Sequence, residues 1–273
     1  MQKIFTIIRH LVVGLAAAAA ILIPLWFVVT AFGGKFGLWT PLQAFAHVRN
    51  FAGMLLPAAA ILGAAALVVA VLFRLVFGAK NSPGPGGYIA GIAALTVGLG
   101  GIAYAQSVRE LARSVPPIHD ITTDTENPPQ FTQALIDRRT QDGARNSVDY
   151  ASKVNPADDR PLPPVQAQYY PEITPIELPV ARDLAYRAAL NTARDMGWTV
   201  STASEAAGMF EATATTFWFG FKDDIVVRVT DEGLEASRVD VRSVSRVGVS
   251  DLGANADRIE RYSQRLRDSV GPR

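Results

Sequence analysis

Arg238, Asp240, Arg242 and Arg246 recur at even spacing near the C-terminal end of this chain. On a β-strand that spacing puts them on one face. The planar fork of arginine matches phosphate and carboxylate geometry, so Arg238, Arg242 and Arg246 define a candidate site for an anion, a lipid headgroup or a partner. Ser243, Ser245 and the Gly248–Asp251 turn adjoin it. A helix starting there adds backbone N–H groups that favour anions, although Asp251 would already occupy the position. The competing reading, and the favoured one, is a solvated ladder with cross-strand partners such as Glu211 or Asp224.

A second group, His119, Asp120 and Asp124, has the residue types for acid/base work or hard-metal ligation. A lone histidine in a proline-rich stretch favours turn chemistry instead, with Asp bonding its own backbone. A metal would need further ligands from elsewhere, and the other two histidines, His10 and His47, lie in the apolar front of the chain. Asp223 and Asp224 are neighbours that would face opposite sides of a strand, and a hairpin turn is expected there. Phe217, Trp218, Phe219 and Phe221 cluster at one hairpin end. Alternation assigns Trp218 to the core. Phe217 and Phe219 then lie on the opposite face, either under the proline-rich segment or as a contact for a partner or a membrane surface. No nucleophile–His–acid set, phosphate loop, zinc signature or nucleotide fingerprint is present. No catalytic residue, metal, cofactor or nucleotide is therefore assigned.

The elements that position these groups divide sharply. The first 106 residues contain no Asp or Glu, and all 25 acidic residues follow from Glu110 onward. A buried charge is costly in a bilayer, which explains the exclusion. Residues 1–106 are read as a membrane region with helices at about 11–32, 51–74 and 87–106, each near the roughly 20 residues needed to cross. The first run is longer than a signal-peptide core and is read as retained. Thr40-Pro41 reads as an N-cap with proline at the first helical position. The stretch 81–87 reads as a helix stop. Gly87, Ala90, Gly91, Ala94 and Gly98 are read as the packing face of the third helix against its own neighbours. Flanking basic residues balance four against four, but Lys3 and Arg9 before the first span favour a cytoplasmic N-terminus. Three spans then place the C-terminal portion in the periplasm of a bacterial inner-membrane protein. The chain has no cysteine, which excludes disulfides and thiolate chemistry.

From residue 107 onward the chain carries 20 Lys or Arg against 25 Asp or Glu, a net charge of −5 that disfavours nucleic acid. Residues 107–175 are rich in proline and read from composition as an extended linker with a short helix near 131–141. Residues 176–270 carry the periodicity of an α+β unit. The pattern predicts strand 176–180, helix 181–196, strands 198–203, 209–219, 224–230 and 236–246, and a closing helix capped by Ser250. The resulting β-α-β-β-β-β-α order is a two-layer domain with a mostly antiparallel sheet. Both helices lie on one face, which leaves the charged face free.

Four stretches, PPIHDITTDTENPPQF (116–131), YYPEITPI (169–176), GMFEATATTFWFGFKDDIVVRV (208–229) and SRVDVRSVSRVGVSDLGANADRI (237–259), resemble domain-of-unknown-function family 1499. The resemblance implies that the proline-rich part is a wrapping segment of the folded domain. It also implies a non-cytoplasmic location, and it implies no mechanism. Two functions follow as expectations. One is a non-enzymatic, membrane-anchored domain that binds an envelope protein or lipid. The other is an enzyme acting on an anionic envelope substrate, with Arg238, Arg242 and Arg246 as the clamp and His119 or Asp120 as acid/base group.

Overall fold

The computed structural model describes residues 2–78 and 82–271. It divides into two compact units, one holding the apolar front and the other most of the remainder. Lys80 and Asn81, the latter at the start of the expected helix stop, lie outside the described residues.

The first unit contains helices α1 (Gln2–Lys35), α2 (Pro41–Phe77) and α3 (Gly84–Ser114). All three are long and apolar enough to cross a membrane. Each runs past the apolar stretch that marks it in the sequence. Thr40 caps α2 in a reciprocal box with Gln43, and Pro41 follows at the first turn. Glycines on α2 and α3 let the backbones touch. A Cβ on Gly98 would lie 2.4 Å from the Ala60 nitrogen, and one on Gly63 would lie 2.4 Å from the Leu95 nitrogen. The small-residue face thus packs the chain's own helices. Residues 218–220 group with this unit.

In the second unit the elements are β1 (Asp120–Thr122), α4 (Gln133–Gln141), α5 (Leu162–Tyr169), β2 (Ile176–Leu178), α6 (Arg182–Asp195), β3 (Thr199–Ser204), β4 (Met209–Thr215), β5 (Lys222–Gly233), β6 (Ala236–Ser245) and α7 (Ala254–Val270). They build an open six-stranded antiparallel sheet in the order β1-β6-β5-β4-β3, with β2 also pairing β6. Thr123 fills the gap between β1 and β2 on β6: its N–H donates to Val241 O, and its hydroxyl accepts from Val241 N.

Alternation sorts the sheet into two faces. Ile225, Val227, Val229, Val239 and Val241 face α6 and α7 in the main core. Trp198 stacks on Tyr262 at 4.9 Å, and the Tyr262 hydroxyl donates to Ala189 O. Phe131, Leu135, Val226 and Val244 form a second core on the other face. That face is therefore covered, by α4 and the proline-rich segment, and the expectation of a free, solvated face is corrected. Composition points to a linker because it registers proline and not what the chain lies upon. The wrapping implied by the family resemblance is what the structure contains.

Three local expectations also change. β4 ends at Thr215, so Trp218 leaves the strand alternation and is 42% exposed instead of entering the core. Asp223 and Asp224 lie inside β5, buried on opposite faces, and not in a hairpin turn. The N-cap of α7 is Gly253 rather than Ser250; the Ser250 hydroxyl accepts from Leu252 N.

Candidate functional site

The charged face of the sheet is the densest polar constellation of the second unit, and β1 makes it possible. Asp120 pairs in register with Val244 and Thr122 with Arg242, which brings the segment 116–124 back beside the last strand. The ladder is extended sideways by a side chain. Gln166 of α5 donates to Thr122 O and accepts from Thr122 N, as a neighbouring strand would. The Tyr150 hydroxyl donates to the same Gln166 oxygen.

Arg242 is wholly buried. Its Nε and Nη2 donate to the two Asp120 oxygens at 3.0 and 2.8 Å. It also donates to Pro129 O and Val148 O. The guanidinium carbon lies 5.3 Å from the Phe131 ring centroid and 5.4 Å from that of Tyr150, a geometry for cation–π attraction on both sides. Lys153 adds a second cation to the buried Asp120 carboxylate. Burial opposes ionisation of Asp120, but the bonds and charges of Arg242 and Lys153 outweigh it and hold this carboxyl below its usual range. Burial lowers the Lys153 amine, and Asp120 offsets part of that shift.

A second centre lies further along β5 and β6. Arg246 donates to both Asp224 oxygens at 2.8 Å, and Arg139 of α4 donates to Asp224 as well. Thr213 donates to Asp224 Oδ1, and Asp142 accepts from Arg246. A third centre, nearer the surface, holds Arg228 and Arg238 between Asp124 and Asp240. The expected cross-strand partner Asp224 is thus in place for Arg246. Glu211 instead holds Thr132, the N-cap residue of α4, by accepting from its N–H and its hydroxyl.

Arg238, Arg242 and Arg246 therefore share one face, as their spacing indicates, but only Arg238 retains sizeable exposure, with 29% of its side chain accessible. Phe217 is 63% exposed. Phe219 belongs with residues 218–220 in the first unit, so the two aromatic candidates fall in different units.

His119 sits at the start of β1. Its Nδ1 donates to Val249 O, which leaves Nε2 as an acceptor, buried and without a hydrogen-bond partner among the described residues. Burial lowers its pKa, reinforced by Lys153. His119 also lines a hollow of about 20 Å³ together with Pro117, Lys153, Val154, Pro156 and Leu162. That is room for about one water molecule. On the opposite face of the sheet Arg258 pairs with Asp223 and with Asn255. Asp251 accepts from Gly253 N and Asn255 N at the first turn of α7, and burial raises its pKa to about 6.

Sequence reasoning missed Arg139, Lys153, Gln166 and Arg258. The paired acids Asp120, Asp223 and Asp224 were the available signal, because buried carboxylates need partners. The segment comprising residues 120–266 matches the family described as "Protein of unknown function (DUF1499)". No curated protein matches the chain.

Proposed function

The chain belongs to the DUF1499 family, whose name assigns no activity, and we propose that it is a non-enzymatic binding protein of the bacterial inner membrane. Its three helices cross the bilayer with the N-terminus in the cytoplasm, and the α+β domain is held in the periplasm to engage an envelope protein or lipid. One observation supports this reading above others: the charged face is engaged with itself. Arg242 and Arg246 each meet a carboxylate through two nitrogens, in contacts nine-tenths or more buried. A face of this kind fixes the wrapping segment rigidly and suits presentation of a surface better than turnover. Phe217 and Arg238 are two separate contact groups of the α+β domain, and Phe219 is a contact group of the first unit. Lys3 and Arg9, in the N-terminal turns of α1 before its uncharged run, support the orientation.

The test is photo-crosslinking in intact cells from probes replacing Phe217 or Arg238 in the full chain. Adducts with an envelope protein or lipid support the reading. Their absence at both positions, in a chain that complements a deletion strain, removes it.

A second reading is an enzyme for an anionic envelope substrate, using Arg238, Arg242 and Arg246 with His119 or Asp120. Two observations favour it: β1 delivers Asp120 onto Arg242, and His119 Nε2 is buried without a partner. If His119→Ala preserves the fold and abolishes complementation, this reading displaces the first.

A further inference from the structure

Three residues of the segment between β4 and β5, Trp218, Phe219 and Gly220, belong to the first unit together with α1 and α2. Both rings are packed there. Trp218 meets Phe27 and Phe32 of α1 edge-on, with ring centroids 5.4 and 5.6 Å apart. Phe219 meets Phe27 at 6.2 Å and Phe45 of α2 at 5.8 Å, also edge-on. This is a favoured arrangement of aromatic pairs. Two glycines allow the close approach. A Cβ on Gly34 would lie 3.2 Å from Phe219 O, and one on Gly220 would lie 2.8 Å from Lys35 Cα. Trp218 is nonetheless 42% exposed.

The position along α1 sets the depth of this ring. The uncharged run from Leu11 to Phe32 is about 33 Å long as a helix, close to the roughly 30 Å of a hydrocarbon core. Phe32 then stands at one boundary and Phe27 about 7 Å inside it. The Lys35 ammonium, 5.7 Å from the Phe32 ring centroid, is placed to reach the headgroups. Around the aromatic cluster, Val28 and Val29 of α1 and Phe45 of α2 are exposed. On helices that cross a bilayer, such apolar surface meets acyl chains. Trp218 is held at the depth where tryptophan gathers in membrane proteins, its ring apolar and its N–H suited to the wet side. We propose that Trp218 is an interfacial membrane anchor, its exposed indole contacting lipid where acyl chains meet headgroups at the C-terminal end of α1. The occupant is lipid because Phe27 and Phe45, the rings that seat this cluster, belong to the lipid-facing surface of the spans. The proposal rests on α1 and α2 crossing the bilayer, and it is independent of the compartment and the binding role proposed above.

The test is tryptophan fluorescence of the full chain in phosphatidylcholine vesicles, either plain or brominated near the headgroup end or the methyl end of the acyl chain. The emission lost on Trp218→Phe, a change that keeps an aromatic ring in place, is the share of Trp218. The emission lost on Trp26→Phe is the share of a ring on α1, one turn deeper than the Trp218 contacts. Bromine near the headgroup should quench the Trp218 share several-fold, and bromine near the methyl end should quench it less. The Trp26 share should be quenched as well. A Trp218 share that keeps its full emission while that of Trp26 is quenched overturns the anchor and leaves the spans in place. A Trp218 share quenched more strongly from the methyl end overturns the interfacial placement. Full emission from both shares removes the membrane-spanning reading, and the anchor with it.

Discussion

Asp120→Asn removes one charge and almost no volume from the most deeply buried ion group of the molecule. Asp120 and Arg242 have no side-chain exposure, and Lys153 has 11%. The relevant scale is therefore that of buried pairs and not the 0–1 kcal/mol of surface bridges. Removing one partner of a buried pair costs about 3–5 kcal/mol, because the remaining charge is left uncompensated. Here two cations lose their shared carboxylate, which places the loss at the upper end of that range. Against a typical total of about 5–15 kcal/mol, a large part of the stability disappears. The loss is measured by urea-dependent pulse proteolysis of the full chain in detergent, following cleavage within residues 111–271. Replacing the group as a unit (Asp120→Leu, Lys153→Met, Arg242→Met) should recover much of the loss, since an apolar substitute avoids the desolvation of three charges. A loss below about 1 kcal/mol for Asp120→Asn would place the group in the surface class and contradict its role as a buried anchor. A triple variant no better than the single one would contradict it as well.

Four further perturbations obey the same physics. Because the folded pKa of Asp120 lies below 3.8, its contribution is present above pH 4 and is lost as pH falls through the folded value, so acid unfolding of wild type should be steeper than that of Asp120→Asn. Asp251 has the opposite sign. Its folded pKa of about 6 exceeds the ordinary 3.8, so its contribution is present at low pH and lost as pH rises from about 4 to 6. A tenfold change in proton affinity is worth about 1.4 kcal/mol, and Asp251→Asn should flatten this part of a stability-versus-pH curve. Gln166→Leu leaves Thr122 N, Thr122 O and the Tyr150 hydroxyl without their partner and should cost about 1–3 kcal/mol per stranded buried group at most, read as faster amide exchange at Thr122. Gly208→Ala meets a φ of +66° and a Cβ position 2.4 Å from Val229 O. It should lower the urea midpoint of the second unit, whereas Gly233→Ala, with nothing within 4 Å but a φ of +131°, reports backbone strain alone.

The parts of this structure legible in the sequence are those written in local periodicity. Apolar runs mark α1, α2 and α3, and alternation marks β4, β5 and β6 together with the side of the sheet each residue takes. β1 is hidden because three residues in a proline-rich stretch carry no period, and its partner lies 122 positions away in the Asp120–Arg242 pair. α5 is hidden for a similar reason, since Pro163 and Pro164 read as loop although proline is tolerated in a first helical turn. Alternation identifies the face that holds Arg238, Arg242 and Arg246, but it carries no information about what covers that face. The cover is α4, whose Leu135 and Arg139 serve the apolar and the charged parts of the interface together. Likewise, alternation turns Asp223 and Asp224 to opposite sides, as the structure has them, whereas their local chemistry suggests a turn that does not form. Each is matched by an arginine, Arg258 or Arg246, that is distant in the chain.

The proposed envelope role depends on which side of the membrane holds the α+β domain. A phosphatase active only in the periplasm and a fluorescent protein active only in the cytoplasm, each fused in turn after Arg273, measure this directly. Strong phosphatase activity with a dark fluorescent fusion is the expected result, as three retained spans and a cytoplasmic N-terminus require. A bright fluorescent fusion with an inactive phosphatase would place the domain in the cytoplasm and rule out that role.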